Sequence, residues 1–398
     1  MSLGSLHTVD WIQIGVLGLL FLLQFYWYVR YLAATARRMR KESKSSIAND
    51  PSPFTEGVSV ILCAHNEREN LSKYLQSLLT QDYPTYEVIV VDDGSEDDTR
   101  AIVERYMVRD PRLQMTFVPY GARVGSTKKL ALTLAAKAAQ YDYLLLTDAD
   151  CVPESNQWIR QMMKGFESKV ESQKSKDIVL GFGPYFAEEG HINRLVRFDT
   201  LFNGLHYLGA AICKHPYMGV GRNLAYRKSL FFESGGFTHM MMNKSGDDDL
   251  FINHVATKTN TAVAVNPKAY TWSLTKHTFK EWWQQKRRHL SVSPNYKPVT
   301  KFRLTLEPLT RGLFYAAVLG IIIFQLPITN NQLPIPLLAA VGLFLLRWII
   351  QTAIINTSAR RMGQKRFNMF SILWFDITLP LVNLWMLIVP RKYKWKNG

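Results

Sequence analysis

Cysteine is scarce in this chain, and that scarcity excludes two kinds of protein. The three present, Cys63, Cys151 and Cys213, lie far apart and are odd in number. They encode neither a disulfide framework nor a thiolate metal site, and they suit a reducing compartment. His65, His191, His206 and His277 show no metal-ligand spacing either. The first ten residues hold no Lys or Arg, and no small-residue cleavage site follows the first apolar run, so that run reads as an uncleaved anchor rather than a signal peptide. Internal repeats do not stand out. Ionisable residues are almost missing from the later apolar runs, where Arg347 and Asp376 stand nearly alone. That is too few for a transporter, which needs such groups within several spans.

Negative charge is also in deficit: 32 Asp and Glu face 48 Lys and Arg, a net charge of +16 over 398 residues. A basic excess can mean nucleic acid, but its placement here argues against that. Arg30, Arg37, Arg38, Arg40, Lys41 and Lys44 follow one apolar run. Arg360, Arg361, Lys365 and Arg366 lie between two others, and Arg391, Lys392, Lys394 and Lys396 follow the last. Clusters flanking hydrophobic segments are cytoplasmic anchors under the positive-inside rule. The expected contacts are therefore membrane lipids and no nucleic acid, with the region after residue 31 in the cytoplasm against an inner membrane. Residues 12–31 are long and apolar enough to span a bilayer, with Phe25, Tyr26, Trp27 and Tyr28 suited to its interface. Residues 313–326 and 337–355 form a hairpin around an uncharged connection at 327–336. Residues 370–389 are apolar but interrupted by Asp376, Pro380 and Asn383, so a re-entrant or interfacial segment is expected rather than a full span.

Between these segments, apolar strands alternate with amphipathic helices. Strands are expected at 58–62, 86–91, 113–118, 143–147, 178–185 and 262–265, and helices at 69–81, 95–106, 127–140, 191–213 and 279–290. Such alternation specifies an α/β domain on a mostly parallel sheet. Tyr143-Leu144-Leu145-Leu146 runs straight into Thr147-Asp148-Ala149-Asp150. Ligands of open α/β sheets sit beyond the carboxyl ends of strands, and side chains two apart point the same way if the strand persists. Asp148 and Asp150 can therefore converge on one Mg2+ or Mn2+, whose remaining shell comes from water and a substrate's phosphates. An isolated Asp-x-Asp also occurs in Asp-rich turns. Two further acidic clusters, Asp92-Asp93 and Asp247-Asp248-Asp249, sit at other expected strand ends or loops.

Together with Lys128, these clusters make residues 58–289 resemble the membrane-bound, inverting family 2 glycosyltransferases of GT-A fold. Six motifs carry the resemblance in order: the strand ending Ala64-His65-Asn66-Glu67; Val90-Val91-Asp92-Asp93-Gly94-Ser95; Asp148-Ala149-Asp150; Gly221-Arg222-Asn223-Leu224-Ala225; Gly246-Asp247-Asp248-Asp249-Leu250; and Gln285-Lys286-Arg287-Arg288-His289. The resemblance implies a nucleotide diphosphate sugar donor, UDP- in preference to GDP-linked, and an acceptor that is a saccharide or is lipid-linked. It assigns Ala64, Asn66, Glu67, Asp92, Asp93, Lys128, Asp148 and Arg288 to the donor, Asp150 and Asp148 to the metal, and Gly221, Arg222, Asn223 and Gln285 to the acceptor side. Lys129 is expected to be the solvated neighbour of Lys128. The catalytic base is Asp247 or Asp248, depending on where the acidic motif is aligned, with Asp247 preferred. The chain departs from the pattern twice: Gly246 stands where the family has Glu, and His289 where it has Trp. Trp282 and Trp283 supply either the missing aromatic face or an interfacial anchor.

The expected organisation is an anchor over 1–33, a cytoplasmic linker over 34–56, a GT-A domain over 57–290, an interfacial connection over 291–310 and a membrane region over 311–398. One N-terminal and two to three C-terminal membrane segments look thin for exporting a polymer. The favoured activity is therefore transfer to a lipid-linked or glycolipid acceptor, with a processive polysaccharide synthase as the alternative. A Mg2+-dependent nucleotidyltransferase would share the Asp-rich strand ends but leave the acidic triplet and the basic motif unexplained.

Overall fold

A computed structural model describes residues 7–44, 54–119, 121–122, 124–167, 175–243, 245–326 and 334–389. In chain order, α1 (Thr8–Trp27) passes through a π-helical turn into α2 (Ala33–Lys44), followed by β1 (Val58–Ala64), α3 (Arg68–Leu79), β2 (Tyr86–Asp92), α4 (Thr99–Met107), β3 (Leu113–Phe117), α5 (Thr127–Ala138) and β4 (Tyr143–Asp148). Then come β5 (Cys151–Pro153), α6 (Trp158–Met163), β6 (Ile178–Leu180), α7 (His191–Ile212), β7 (Leu224–Arg227), α8 (Lys228–Glu233), α9 (Asp249–Val255), β8 (Thr261–Val263) and β9 (Thr271–Ser273). The chain continues through α10 (Phe279–Leu290), α11 (Pro298–Gln325), α12 (Ile335–Arg361) and α13 (Met369–Ile388).

Seven strands form one sheet in the order β3-β2-β1-β4-β7-β6-β8, and β5 pairs with β9 apart from it. Strands β3, β2, β1 and β4 run parallel, as their apolar runs require, since both faces of such a sheet are covered. Val60, Leu62, Val88 and Val90 meet Leu71, Leu75, Val103 and Trp158 on one face. Ile61, Ile89, Val91, Leu144 and Leu146 meet Ala131, Ala135, Leu205 and Phe251 on the other. Strand β7 was not expected. It runs antiparallel between β4 and β6, so the sheet is mixed, and the strand expected over 178–185 ends at Leu180. In register, Ala64 pairs with Asp92 and Cys63 with Asp148. The carboxyl ends of three neighbouring strands thus stand level on one edge, which is what gathers their loops into a site.

Four helical segments are long and apolar enough to cross a membrane: Thr8–Lys44, Pro298–Gln325, Ile335–Arg361 and Met369–Ile388. The long helix α7 joins them to the sheet. Its Gly209 lies so close to Tyr31 that a β-carbon there would come within 2.2 Å of the Tyr31 carbonyl oxygen. Phe198 on α7 meets Phe367 edge-on and packs at a tilt against Phe375. Two expectations are revised. Helix α2 carries the chain to Lys44 and packs on α7 rather than opening a linker at residue 34. Most of the connection expected over 291–310 is nearly the first half of α11.

Residues 370–388 form one unbroken helix, α13, which continues through Asp376, Pro380 and Asn383. The reason is pairing. Asp376 Oδ1 accepts from Arg311 at 2.8 Å and from Gln351 at 2.6 Å, while its Oδ2 accepts from Arg347 at 2.9 Å and Tyr315 at 2.5 Å. An isolated carboxylate would be costly among apolar helices, but one ringed by two guanidinium groups from other helices is compensated. The basic cluster at 391–396 and residues 327–333 of the connection lie outside the described residues.

Candidate active site

The loops after β1 and β2 are tied to each other. The Asp93 N–H donates to the Ala64 carbonyl at 2.8 Å, and the Asn66 N–H donates to Ser95 Oγ at 3.0 Å. Asn66 sits in the left-handed region, at φ 55°, and its Oδ1 accepts from the Glu96 N–H at 2.8 Å. A short polar side chain that bonds locally tolerates this conformation. Asp92 is buried, accepts from the Ser95 N–H at 2.9 Å and pairs with Arg100 at 3.0 Å, so it orients the loop. Asp93 is left facing outward, accepting from Thr127 Oγ1 at 2.8 Å. Burial raises the Asp93 pKa, and the Thr127 bond opposes that rise.

Thr127 opens α5, whose first turn carries two lysines with opposite tasks. Lys128 Nζ lies 3.1 Å from Asp148 Oδ1 and 3.3 Å from Asp247 Oδ2. Partial burial disfavours its charge, yet Asp148 and Asp247 override that and hold its pKa well above the ordinary lysine value. Lys129 contradicts the expectation of a solvated neighbour. It is fully buried, and its Nζ donates to the carbonyls of Met240, Asn243 and Ser245. The chain leading into the acidic triplet is thereby fastened to α5. The two roles follow from helical geometry, because adjacent residues point about 100° apart.

Within the triplet the three carboxylates differ. Gly246 has φ 90°, and a β-carbon there would lie 2.6 Å from Leu250 Cδ1, which accounts for Gly where Glu was expected. Asp247 opens onto a cavity; burial opposes its ionisation, but Lys128 overrides this and leaves its pKa below the ordinary value. Asp248 is the N-cap of α9. Its Oδ1 accepts from the Asp249 N–H at 2.8 Å and its Oδ2 from the Gly221 N–H at 2.7 Å. Asp249 is buried and accepts from the Tyr296 hydroxyl at 2.8 Å. Burial, with Asp248 beside it, pushes the Asp249 carboxyl up to about 8.

Asp249 is thus protonated in the neutral folded protein and ionised in the unfolded chain. Between roughly pH 4 and 8 the native state holds the extra proton, so stability falls as pH rises through that window. The thermal midpoint in detergent is expected to drop between pH 5 and pH 8, and Asp249→Asn, which cannot ionise, should flatten the drop. A variant as steep as the parent would remove Asp249 from this role.

Asp150 follows the end of β4, and its pKa is raised first by burial and then by Asp148, with Arg222 opposing. Glu67 is raised likewise by burial, with smaller contributions from Asp150 and Asp148. Opposite them, Arg222 lies over the Tyr185 ring at 4.3 Å and donates to Ser273 Oγ at 2.8 Å. Gln285 Nε2 donates to the Tyr185 hydroxyl at 3.1 Å, so Gln285 supports the ring on which Arg222 rests. Arg288 and His289 line the same cavity, and the imidazole is kept neutral by burial and by the neighbouring Arg288 and Arg222. Lys286, earlier on the same helix, is instead paired with Asp199 at 2.7 Å. Trp282 is buried against Lys286 and lines the cavity, rather than anchoring an interface.

Asn223 does not join the site. It is fully buried, accepts from Trp158 Nε1 at 3.1 Å and donates to the carbonyls of Phe182 and Ala269, which holds the Arg222 loop in place from behind. Tyr185, Thr127 and Tyr296 carry no motif and were not singled out from sequence. The cavity, of about 1360 Å3, runs from Lys128, Asp148, Arg222 and Asp247 to the membrane-length helices α11 and α13. The carboxylate pair Asp148 and Asp150 offers hard oxygen donors that repel each other in a partly desolvated corner, a set that fits Mg2+ or Mn2+. Among the described residues no three such side chains converge, so the pair would leave most of the shell to water and phosphate.

Residues 59–240 match the family described as Glycosyl transferase family 2. A poly-beta-1,6-N-acetyl-D-glucosamine synthase of Staphylococcus epidermidis is 29% identical over 130 residues, 33% of this chain and 30% of that one. The probable glycosyltransferase YdaM of Bacillus subtilis is 24% identical over 238 residues, 58% of this chain and 54% of YdaM. The chain thus spans about a third to a half of the length of these curated relatives. Among solved structures, the mannosyltransferase PcManGT from Pyrobaculum calidifontis, in complex with GDP-Man and Mn2+, superposes with a TM-score of 0.50 at 18% identity, covering 95% of both chains.

Proposed function

We propose that the chain, whose residues 59–240 match Glycosyl transferase family 2, is a glycosyltransferase that transfers a sugar from a nucleotide diphosphate sugar to a lipid-linked or glycolipid acceptor, with inversion. One observation carries this reading. The cavity that holds Lys128, Asp148 and Asp247 at one end is walled by the apolar helices α11 and α13 at the other, so donor chemistry and an amphiphile share one space. The acceptor hydroxyl attacks the anomeric carbon, the bond from that carbon to the diphosphate oxygen breaks, and the hydroxyl proton passes to Asp247. The transition state is oxocarbenium-like, as in glycoside hydrolysis. Lys128 pairs with the departing diphosphate as a point charge. That contact draws its ammonium away from Asp247 and makes Asp247 a better base once the donor is bound. Asp248, both of whose oxygens accept backbone N–H groups, positions Asp247. Arg222 and Arg288 offer further positive charge to the diphosphate. A divalent cation held by Asp150 and Asp148 would supply Lewis-acid neutralisation of the leaving diphosphate.

Several features support a cytoplasmic catalytic face. The basic helix α2 packs on α7, and Arg197 of α7 donates to the Lys365 carbonyl in the basic α12–α13 turn, so both clusters lie on the catalytic side of the helices. Because one relative is a polysaccharide synthase, a processive activity is the second reading. The test is nucleotide release by the detergent-solubilised protein from UDP- and GDP-sugars with Mg2+ or Mn2+, followed by partition of the labelled sugar. Metal-dependent release with label in the organic phase is expected. Long water-soluble chains made without lipid would instead establish the synthase.

A further inference from the structure

We propose that the membrane-side arm of the cavity binds the head group of a neutral, hydroxyl-bearing lipid, a glycolipid, in preference to a lipid phosphate. This rests on the transferase reading and names the acceptor class for the same site. The arm is walled by Leu309 and Leu313 of α11 and Leu381 and Leu384 of α13, each about half exposed, so an acyl chain has an apolar path between the two helices. Between that path and the carboxylates lies a polar collar whose hydrogen-bonding capacity is unused. Glu307 Oε1, Arg311 Nε, His206 Nε2 and Asn383 Oδ1 are buried without a partner, and all four residues line the cavity. Glu307 and Arg311 are only 4% and 5% exposed. Buried polar atoms are ordinarily satisfied, and a cluster of unsatisfied ones around a cavity calls for a ligand.

The chemistry of the collar selects the ligand. Glu307 Oε1 and Asn383 Oδ1 can only accept, Arg311 Nε only donates, and His206 Nε2 does either. A hydroxyl group, which both donates and accepts, satisfies all of them. A phosphate cannot donate to Glu307 or Asn383 when ionised, and among the described collar residues the one guanidinium, Arg311, is already committed; Lys301, which also lines the cavity, lies further back along α11 and donates to the Pro294 carbonyl. Arg311 is already paired with Glu307 at 2.7 Å and with Asp376 at 2.8 Å. The cations open to a diphosphate, Lys128, Arg222 and Arg288, line the donor end. The collar therefore holds sugar hydroxyls, with the reacting one directed toward Asp247.

Binding is measured without donor, by titrating a fluorescent monoglycosyl diacylglycerol or a fluorescent polyprenyl phosphate into the full-length protein in detergent. The glycolipid is expected to bind saturably and about tenfold more tightly than the phosphate, and Asn383→Leu should weaken it by about tenfold, the effect of losing one well-placed buried hydrogen bond. Glu307→Gln, which keeps size but removes charge, should weaken it similarly. Because that change also disturbs the Arg311 pair, Leu384→Trp, which narrows the path, provides an independent variant. Tighter phosphate binding, no saturable glycolipid binding, or affinity unchanged in all three variants would overturn the assignment. Failure of the transferase reading shows separately, as absence of donor turnover in the unsubstituted protein.

Discussion

Asp150→Ala should lower metal-dependent nucleotide release by roughly 10²–10³-fold or more, the scale seen when one preorganised group that stabilises developing charge is removed. The expectation rests on where Asp150 stands. It is partly desolvated and close enough to Asp148 to be pushed toward its neutral form, an arrangement that costs the empty protein and is relieved by a divalent cation. Two readouts separate this from a structural role. Mn2+ affinity, followed by its paramagnetic resonance, should fall in the variant. The thermal midpoint without metal should hold or rise, because a buried like charge has been removed. A midpoint that falls while Mn2+ affinity is unchanged would show that Asp150 is part of the scaffold, not of the metal site.

The second large effect is expected at Asp247. Asp247→Asn should lower kcat by about 10²–10⁴-fold, the range for loss of a general base, with donor affinity retained. Asp248→Asn should act mainly on stability, by about 1 kcal/mol, since its carboxylate caps α9 and holds the Gly221 N–H. The pH profile provides a further check. In the free enzyme Lys128 depresses the Asp247 pKa, so the acid limb of kcat/KM should lie below the usual carboxylate range. In the donor complex Lys128 is shared with the diphosphate, and the acid limb of kcat should move upward. If Asp248→Asn instead proves the catalytically dead variant while Asp247→Asn turns over normally, the base has been assigned one residue too early.

Much of the site was legible from local pattern because its carboxylates sit where apolar strands stop. Asp92, Asp93 and Asp148 needed only the recognition of buried strands, and the register of β1 with β2 and β4 brought them level. Residues whose role depends on a distant partner were not legible. Lys128 and Lys129 are chemically identical neighbours, and which one faces carboxylates and which holds the carbonyls of Met240, Asn243 and Ser245 depends on how α5 lies against those residues. Asn223 belongs to a motif yet turns away from the cavity, because Trp158, 65 residues away in sequence, takes its side-chain oxygen. Strand β7 is four residues long, too short to stand out as a periodic run.

The membrane part divides in the same way. Hydropathy and length by themselves identified the apolar segments, since a span is a local property of about 20 residues. Whether Asp376 interrupted the last one could not be read locally. A carboxylate in an apolar run is prohibitive alone and acceptable when Arg311, Arg347, Tyr315 and Gln351 surround it, and those residues come from α11 and α12. The sequence alone thus determined the sheet's parallel half, the acidic strand ends and the count of apolar segments, all set by short-range periodicity and burial. Only the tertiary structure decided which carboxylate opens onto the cavity, which lysine faces it, and that the cavity continues to α11 and α13. Those outcomes turn on electrostatic and hydrogen-bond partners that meet across long stretches of chain, and no local pattern encodes them.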